Sequence, residues 1–156
     1  MASHATVQET VGRVLAERRH MAGALLPVLH GIQDALGYVP PEAVPQIADG
    51  LNLSRAEIHG VISFYHHFRE TPPGQHTVYL CRAESCQAMQ GRALEAHAKK
   101  ALEIDFHQTT ADGGVTLEPI YCLGLCATAP SAMLDGRLVG RLDEKRLDAL
   151  VAEAQR

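Results

Sequence analysis

No apolar run in the chain approaches the roughly 18 residues that a membrane-crossing helix needs, and the opening segment, MASHATVQETVGRVLAERRHM, has no apolar core of signal-peptide length. The expectation is a cytoplasmic protein with no direct membrane insertion. A net charge of -4 and the lack of any long Lys/Arg run exclude a nucleic-acid partner, because phosphate binding needs a basic footprint. The short basic clusters, Arg18-Arg19 and Lys99-Lys100, read as solvated helix faces. There is no GxGxxG after a strand, no Walker loop, and no Ser/His/Asp or paired-carboxylate arrangement at informative spacing, so the chain does not read as a self-sufficient enzyme. Dithiol redox chemistry asks for CxxC, and neither cysteine pair has it. Internal repeats and low-complexity tracts are also missing.

What remains is a chain of 156 residues, long enough to bury one ordinary core or two small abutting ones. Its first half reads as helices. Val7, Val11, Val14 and Leu15 recur at helical spacing in a polar, terminal segment expected to fray over about residues 1–21. Leu25, Val28, Leu29, Ile32 and Leu36 form a fuller stripe that Gly37 stops as a C-cap glycine. Pro40 and Pro41 open a short helix that Gly50 closes. Ser54 and Glu57 form an S-x-x-E capping box ahead of a fourth helix carrying Ile58, Val61, Ile62, Tyr65 and Phe68 on one face.

Thr71-Pro72-Pro73-Gly74 then breaks the helical pattern, which places a domain boundary there: a small helical bundle over 1–74 and a second domain over 75–156. His76 to Leu80 is a β-branched and aromatic run ending on Cys81, and Ala88 to Leu102 is helical. Phe106–Thr110 and Val115–Tyr121 are candidate strands around Ala111-Asp112-Gly113-Gly114, the second running into Cys122. Asp135-Gly136 signals a two-residue hairpin, and Asp143 opens a last helix. This order predicts a mixed α+β or α/β fold, an open mixed sheet flanked by helices, with cysteine pairs on the loops after two strands. Such loops are where α/β sheets place their sites.

Four cysteines in two pairs, with 35 residues between Cys86 and Cys122, are the ligand count of one metal centre that is assembled only on folding. Thiolates are soft ligands that select zinc, copper(I) or iron-sulfur clusters over magnesium or calcium. Spacing leaves three readings open: an iron-sulfur cluster, a structural zinc of the four-cysteine kind, and a disulfide or inert buried thiols. Because four cysteines complete a shell, His66, His67, His76, His97 and His107 are secondary candidates, with His76, five residues before Cys81, the first to test. The Ala129-Pro130 bond is expected trans, as most X-Pro bonds are. Phe64 and Tyr65 read either as bundle core or as a partner-facing surface.

CRAESC and YCLGLCATAP, set on a strand-helix-strand framework, resemble the thioredoxin-like [2Fe-2S] ferredoxin family. LLPVLHGIQDALGYVP and LSRAEIHGVISFYHHF upstream are similar to the helical segment preceding the cluster domain in one branch of that family. That branch holds the 24-kDa subunit of NADH:quinone oxidoreductase and its counterparts in soluble NAD-dependent hydrogenases and formate dehydrogenases. The likeness covers residues 22–156, and CRAESCQAMQG with GVISFYHHFRE looks most like the gamma subunits of soluble NAD-dependent formate dehydrogenases. It implies a thioredoxin-like cluster domain and one [2Fe-2S] cluster, with Cys81 and Cys86 on one iron and Cys122 and Cys126 on the other. It also implies a partner subunit carrying FMN and NAD, neither of which would sit on this chain, and further iron-sulfur subunits in the same complex. The helical half would be scaffold and docking surface. Gly124, inside CLGLC, would let the backbone wrap the cluster closely, which a plain turn glycine also does.

Overall fold

The computed structural model describes residues 4–155, and its contacts divide the chain into two compact units, Met1–Pro72 and Pro73–Arg156. The first unit is helical: α1 His4–Arg18, α2 Leu25–Leu36, a 3-10 turn Pro41–Ala43, α3 Val44–Leu51 and α4 Arg55–Phe64. Its core joins Val7, Val11 and Val14 of α1 to Val28, Leu29 and Ile32 of α2, Ile47 of α3 and Ile58 of α4. The expectation of a frayed first helix is therefore corrected over residues 4–18, because all three of those valines are fully buried.

Local chemistry explains most of the boundaries. Gly37 takes φ 83° and its N–H returns to the Gln33 carbonyl, ending α2 as a left-handed C-cap. Ser54 and Glu57 make both bonds of the capping box, Glu57 N–H to Ser54 Oγ at 3.2 Å and Ser54 N–H to Glu57 Oε2 at 2.8 Å. Two expectations differ. Gly50 does not close α3, which runs on to Leu51 and is capped by Asn52 at φ 54°. Gly50 serves close approach instead: a Cβ there would lie 2.7 Å from Cδ1 of Leu15 on α1. The fourth helix stops at Phe64, with Tyr65 already extended, so Tyr65 and Phe68 leave its face. Phe68 still reaches the core through the following turn, whereas Phe64 is 72% exposed. The amide of Gln33 holds that turn, donating to the His67 carbonyl at 2.8 Å and accepting the Arg69 N–H at 2.9 Å.

The second unit is a five-stranded sheet of order β2-β3-β1-β4-β5, with β1 His76–Cys81, β2 Gln108–Thr109, β3 Val115–Ile120, β4 Ala132–Leu134 and β5 Arg137–Val139. β1 and β3 are parallel and every other pairing is antiparallel, the open mixed sheet that the element order predicted. Helices α5 Glu84–Ala88 and α6 Gly91–Leu102 follow β1, and α7 Glu144–Ala154 ends the unit. Val78, Leu80, Val115 and Leu117 of the sheet pack with Leu94, Ala98 and Leu102 of α6 and Leu147, Leu150 and Val151 of α7. Asp135 and Gly136 both have positive φ, 47° and 88°, which is the backbone a two-residue hairpin requires. The helix expected over 88–102 starts only at Gly91, because Gln90, with φ 65°, separates it from the short α5 that ends at Ala88. Gly91 gives the reason: a Cβ there would sit 2.6 Å from the Cys86 carbonyl oxygen, so only glycine lets α6 start against α5. The strand expected over 106–110 shrinks to Gln108–Thr109, since Phe106 turns away beneath Lys99 and Arg82, 4.4 and 5.1 Å from its ring centre. The Ala129-Pro130 bond is cis, contrary to the trans expectation.

Candidate metal centre

Parallel pairing brings the two cysteine loops to one end of the sheet. Cys81 is the last residue of β1 and is in register with Ile120, the last of β3, so both chains leave the sheet side by side. The Arg82 N–H extends the ladder one step, donating to the Ile120 carbonyl at 2.8 Å. From β1 the chain turns into α5, which carries Cys86. From β3 it passes through Cys122 at φ 109° and Gly124 at φ 76° before the 3-10 turn that begins at Cys126. A positive φ at Cys122 is costly for a residue with a Cβ, on the order of 1–3 kcal/mol. Such backbone persists where its surroundings enforce it.

The first pair is buried and the second exposed. Cys122 Sγ and Cys126 Sγ lie 3.7 Å apart. Two sulfurs bound to one tetrahedral metal at about 2.3 Å are separated by roughly 3.8 Å, so this pair is spaced to share one metal atom. Among the described residues no three His, Cys, Asp or Glu side chains converge on a single-ion site. The thiols are instead two adjacent pairs that sense each other: Cys126 is pushed up by its contact with Cys122 and, more weakly, by the charges of Cys86 and Cys81.

Hydrogen bonds knit the loops into one cradle. Burial opposes ionisation of Cys81, yet donors from the Ala83 N–H, Cys86, the Leu123 N–H and the Ser131 hydroxyl together bring its thiol below the ordinary range. The Leu123 amide belongs to the second loop, so each cysteine pair helps build the surroundings of the other. Cys86 is pushed up, mainly by burial, with Ser131 acting against the shift. The Gly124 N–H points at Cys122 Sγ at 3.3 Å, the Ser85 hydroxyl donates to the Cys126 carbonyl at 3.0 Å, and the Cys81 N–H donates to the Ser131 carbonyl at 3.0 Å. One thiol pair at a metal-sharing distance, a second pair on the adjoining loop and amides aimed at sulfur form a donor set that fits a thiolate-bound iron-sulfur centre.

The sequence singled out all four cysteines, and the fold places them as two pairs on neighbouring loops at one end of the sheet. The histidines are engaged elsewhere: His76 with Asp135 at 2.6 Å, His97 with Asp148 at 2.6 Å and His107 with Glu118 at 2.7 Å. His66 and His67 lie in the helical unit, His66 against the Phe64 carbonyl and His67 5.2 Å from the ring centre of His30. Sequence reasoning missed Ala83, Ser85, Leu123 and Ser131. Ser85 stands next to a ligand candidate and could have been suspected, but nothing local marks Ser131, five residues past Cys126.

The sequence model of the thioredoxin-like [2Fe-2S] ferredoxin family matches residues 11–155. The chain belongs to that family. It is 33% identical over 132 residues to the NADP-reducing hydrogenase subunit HndA of Solidesulfovibrio fructosivorans, a match covering 84% of this chain and 77% of the relative. To an NADH-quinone oxidoreductase subunit of Rhizobium meliloti it is 32% identical, covering 94% of this chain and 87% of the relative. Against an NADH-quinone oxidoreductase subunit of Mycobacterium bovis it is 38% identical over 82% of this chain, but it spans only 49% of that relative. A solved NAD+-reducing [NiFe]-hydrogenase in the air-oxidized state contains a chain that superposes with a TM-score of 0.69 at 32% identity. That match covers 84% of this chain and 22% of the solved one, so most of the fold of this family member recurs inside a much longer polypeptide. No described helix is long and apolar enough to cross a membrane.

Proposed function

We propose that this chain is a one-electron transfer subunit of a multisubunit NAD-dependent dehydrogenase. Cys81 and Cys86 would hold one iron of a [2Fe-2S] cluster and Cys122 and Cys126 the other. When bound, such a cluster supplies reversible one-electron transfer, at a potential on the order of -400 mV for all-cysteine ligation. The carrying observation is the pair of thiol loops at the ends of adjacent parallel strands, one of them with its sulfurs at a metal-sharing distance, in a chain that the family model spans almost completely.

The residues of this chain then have assignable tasks. The buried pair anchors the centre to the sheet and α5, while the exposed pair, beside a Tyr121 that is 66% exposed, faces the medium through which a partner approaches. Amides of Ala83, Leu123 and Gly124 stabilise sulfur charge. FMN and NAD belong on the partner subunit, a division supported by the lack of any dinucleotide-binding motif here. Residues 1–74 act as scaffold and docking surface, residues 75–156 as the cluster domain, in a cytoplasmic complex with further iron-sulfur subunits. The parent complex is a formate dehydrogenase, a reading supported by the likeness of CRAESCQAMQG and GVISFYHHFRE to its gamma subunits. The names of the relatives favour NADH-quinone oxidoreductase or an NAD(P)-linked hydrogenase as the second choice.

Anaerobic purification of the full chain tests the centre. Brown protein with equal iron and acid-labile sulfide, and a paramagnetic signal after dithionite, is expected. A colourless protein carrying one zinc per chain and no sulfide would replace the carrier with a zinc-stapled interaction module. Co-purification with neighbouring subunits, followed by assay with formate, quinone or hydrogen, decides among the parent complexes.

A further inference from the structure

We infer that Ser131 is a positioning residue that raises the reduction potential of the centre, its hydroxyl donating a hydrogen bond to the sulfur of Cys86. The inference rests on the ligand assignment above. Ser131 lies between Pro130 and β4 and is only 3% exposed, and Cys86 is 1% exposed. Ser131 Oγ and Cys86 Sγ are 3.6 Å apart, within reach for a sulfur acceptor. The same serine meets the pair again through its backbone, where its carbonyl accepts the Cys81 N–H at 3.0 Å, and it favours the ionised form of both thiols.

In the free thiol either atom could donate. A metal-bound thiolate carries no proton, so iron binding fixes the direction of the bond and the hydroxyl becomes the donor. Water does not compete at this depth, and in a low-dielectric interior the bond is stronger than on the surface. An electron taken up by a cluster held there would make the cysteine sulfurs more negative, with no bond broken and no proton moved. A donor aimed at one of them therefore stabilises the reduced form more than the oxidised form, and the potential rises. The other cysteine pair, exposed to solvent, offers water the same role and gains less from any fixed donor.

The test is a redox titration, followed by the paramagnetic signal, of the full chain and its Ser131→Ala and Ser131→Thr variants, with iron and sulfide measured in each. Ser131→Ala is expected to keep its cluster while becoming harder to reduce. A tenfold change in the one-electron equilibrium corresponds to about 59 mV, and a downward shift of roughly that size is expected. Ser131→Thr, which keeps the hydroxyl, is expected to stay at the wild-type potential. A fully loaded Ser131→Ala protein at the wild-type potential overturns the inference and leaves the ligand assignment standing. If Ser131→Ala folds but loses its cluster while Ser131→Thr keeps it, the serine governs retention and the inference is likewise overturned. Should Ser131→Ala fail to fold, Ser131→Val against the isosteric Ser131→Thr decides: equal potentials refute the role of the hydroxyl, and a lower one in the valine protein supports it. The ligand assignment fails separately, if Cys86→Ser retains a full cluster with an unchanged spectrum.

Discussion

The hydroxyl of Ser85 donates to the backbone carbonyl of Cys126 at 3.0 Å, so the helix bearing one inner ligand candidate is tied to the turn bearing an outer one. The bond spans 41 positions in the chain and holds the two loops together where the sheet ladder has ended. A neutral hydrogen bond of this kind contributes about 1 kcal/mol. Ser85→Ala should therefore release iron several-fold faster to a chelator while leaving the far-ultraviolet dichroism unchanged. Equal release rates would show that the tie is incidental.

The proposed ligand set makes the four thiols act together. Cys86→Ser or Cys126→Ser should lower cluster content or shift the visible and paramagnetic spectra, whereas His67→Ala, stacked against His30 in the helical unit, should do neither. If the histidine change bleaches the protein and a cysteine change does not, the ligand set is misassigned.

Gly91 allows no side chain. A methyl group 2.6 Å from the Cys86 carbonyl oxygen must displace backbone, and overpacking of this kind costs about 1–3 kcal/mol. Gly91→Ala is expected to lower the melting temperature and, because Cys86 sits in the displaced turn, to reduce cluster loading as well. At Gly50, where the obstacle is the flexible end of Leu15, the same substitution should cost stability without affecting loading.

The capping box gives a pH signature. Hydrogen bonds from the Ser54 backbone and hydroxyl hold the Glu57 carboxyl below its usual range. A depressed carboxylate contributes stability that is complete above the unfolded pKa, about 4.3. The contribution is lost as pH falls through the lower folded value. Glu57→Gln should thus be less stable than wild type at neutral pH and should converge with it below the folded pKa. Ser54→Ala, which removes the reciprocal bond, should cost about 1 kcal/mol in urea unfolding at neutral pH.

Much of this was legible because it is local. The Ser54 box, the Gly37 cap and the Asp135-Gly136 hairpin each need only a few adjacent residues, and all appear as read. Readings failed where a distant neighbour decides. Gly50 looked like a stop signal but is small because Leu15 presses on it. The helix read from Ala88 starts at Gly91, where the Cys86 carbonyl leaves room for no side chain. The polar composition of α1 suggested fraying, yet a single row of valines is buried on a core that its own sequence does not reveal. Leu123 reaches the sulfurs only once β1 and β3 lie side by side, and Ser131 only once β4 pairs with β1, and no short motif encodes those meetings.

The depth of the four cysteines is uneven, Cys81 and Cys86 enclosed and Cys122 and Cys126 at the rim. Corrosion by dioxygen would thus begin at Cys122 and Cys126, and a protein seated over that rim would act as a shield as much as a donor.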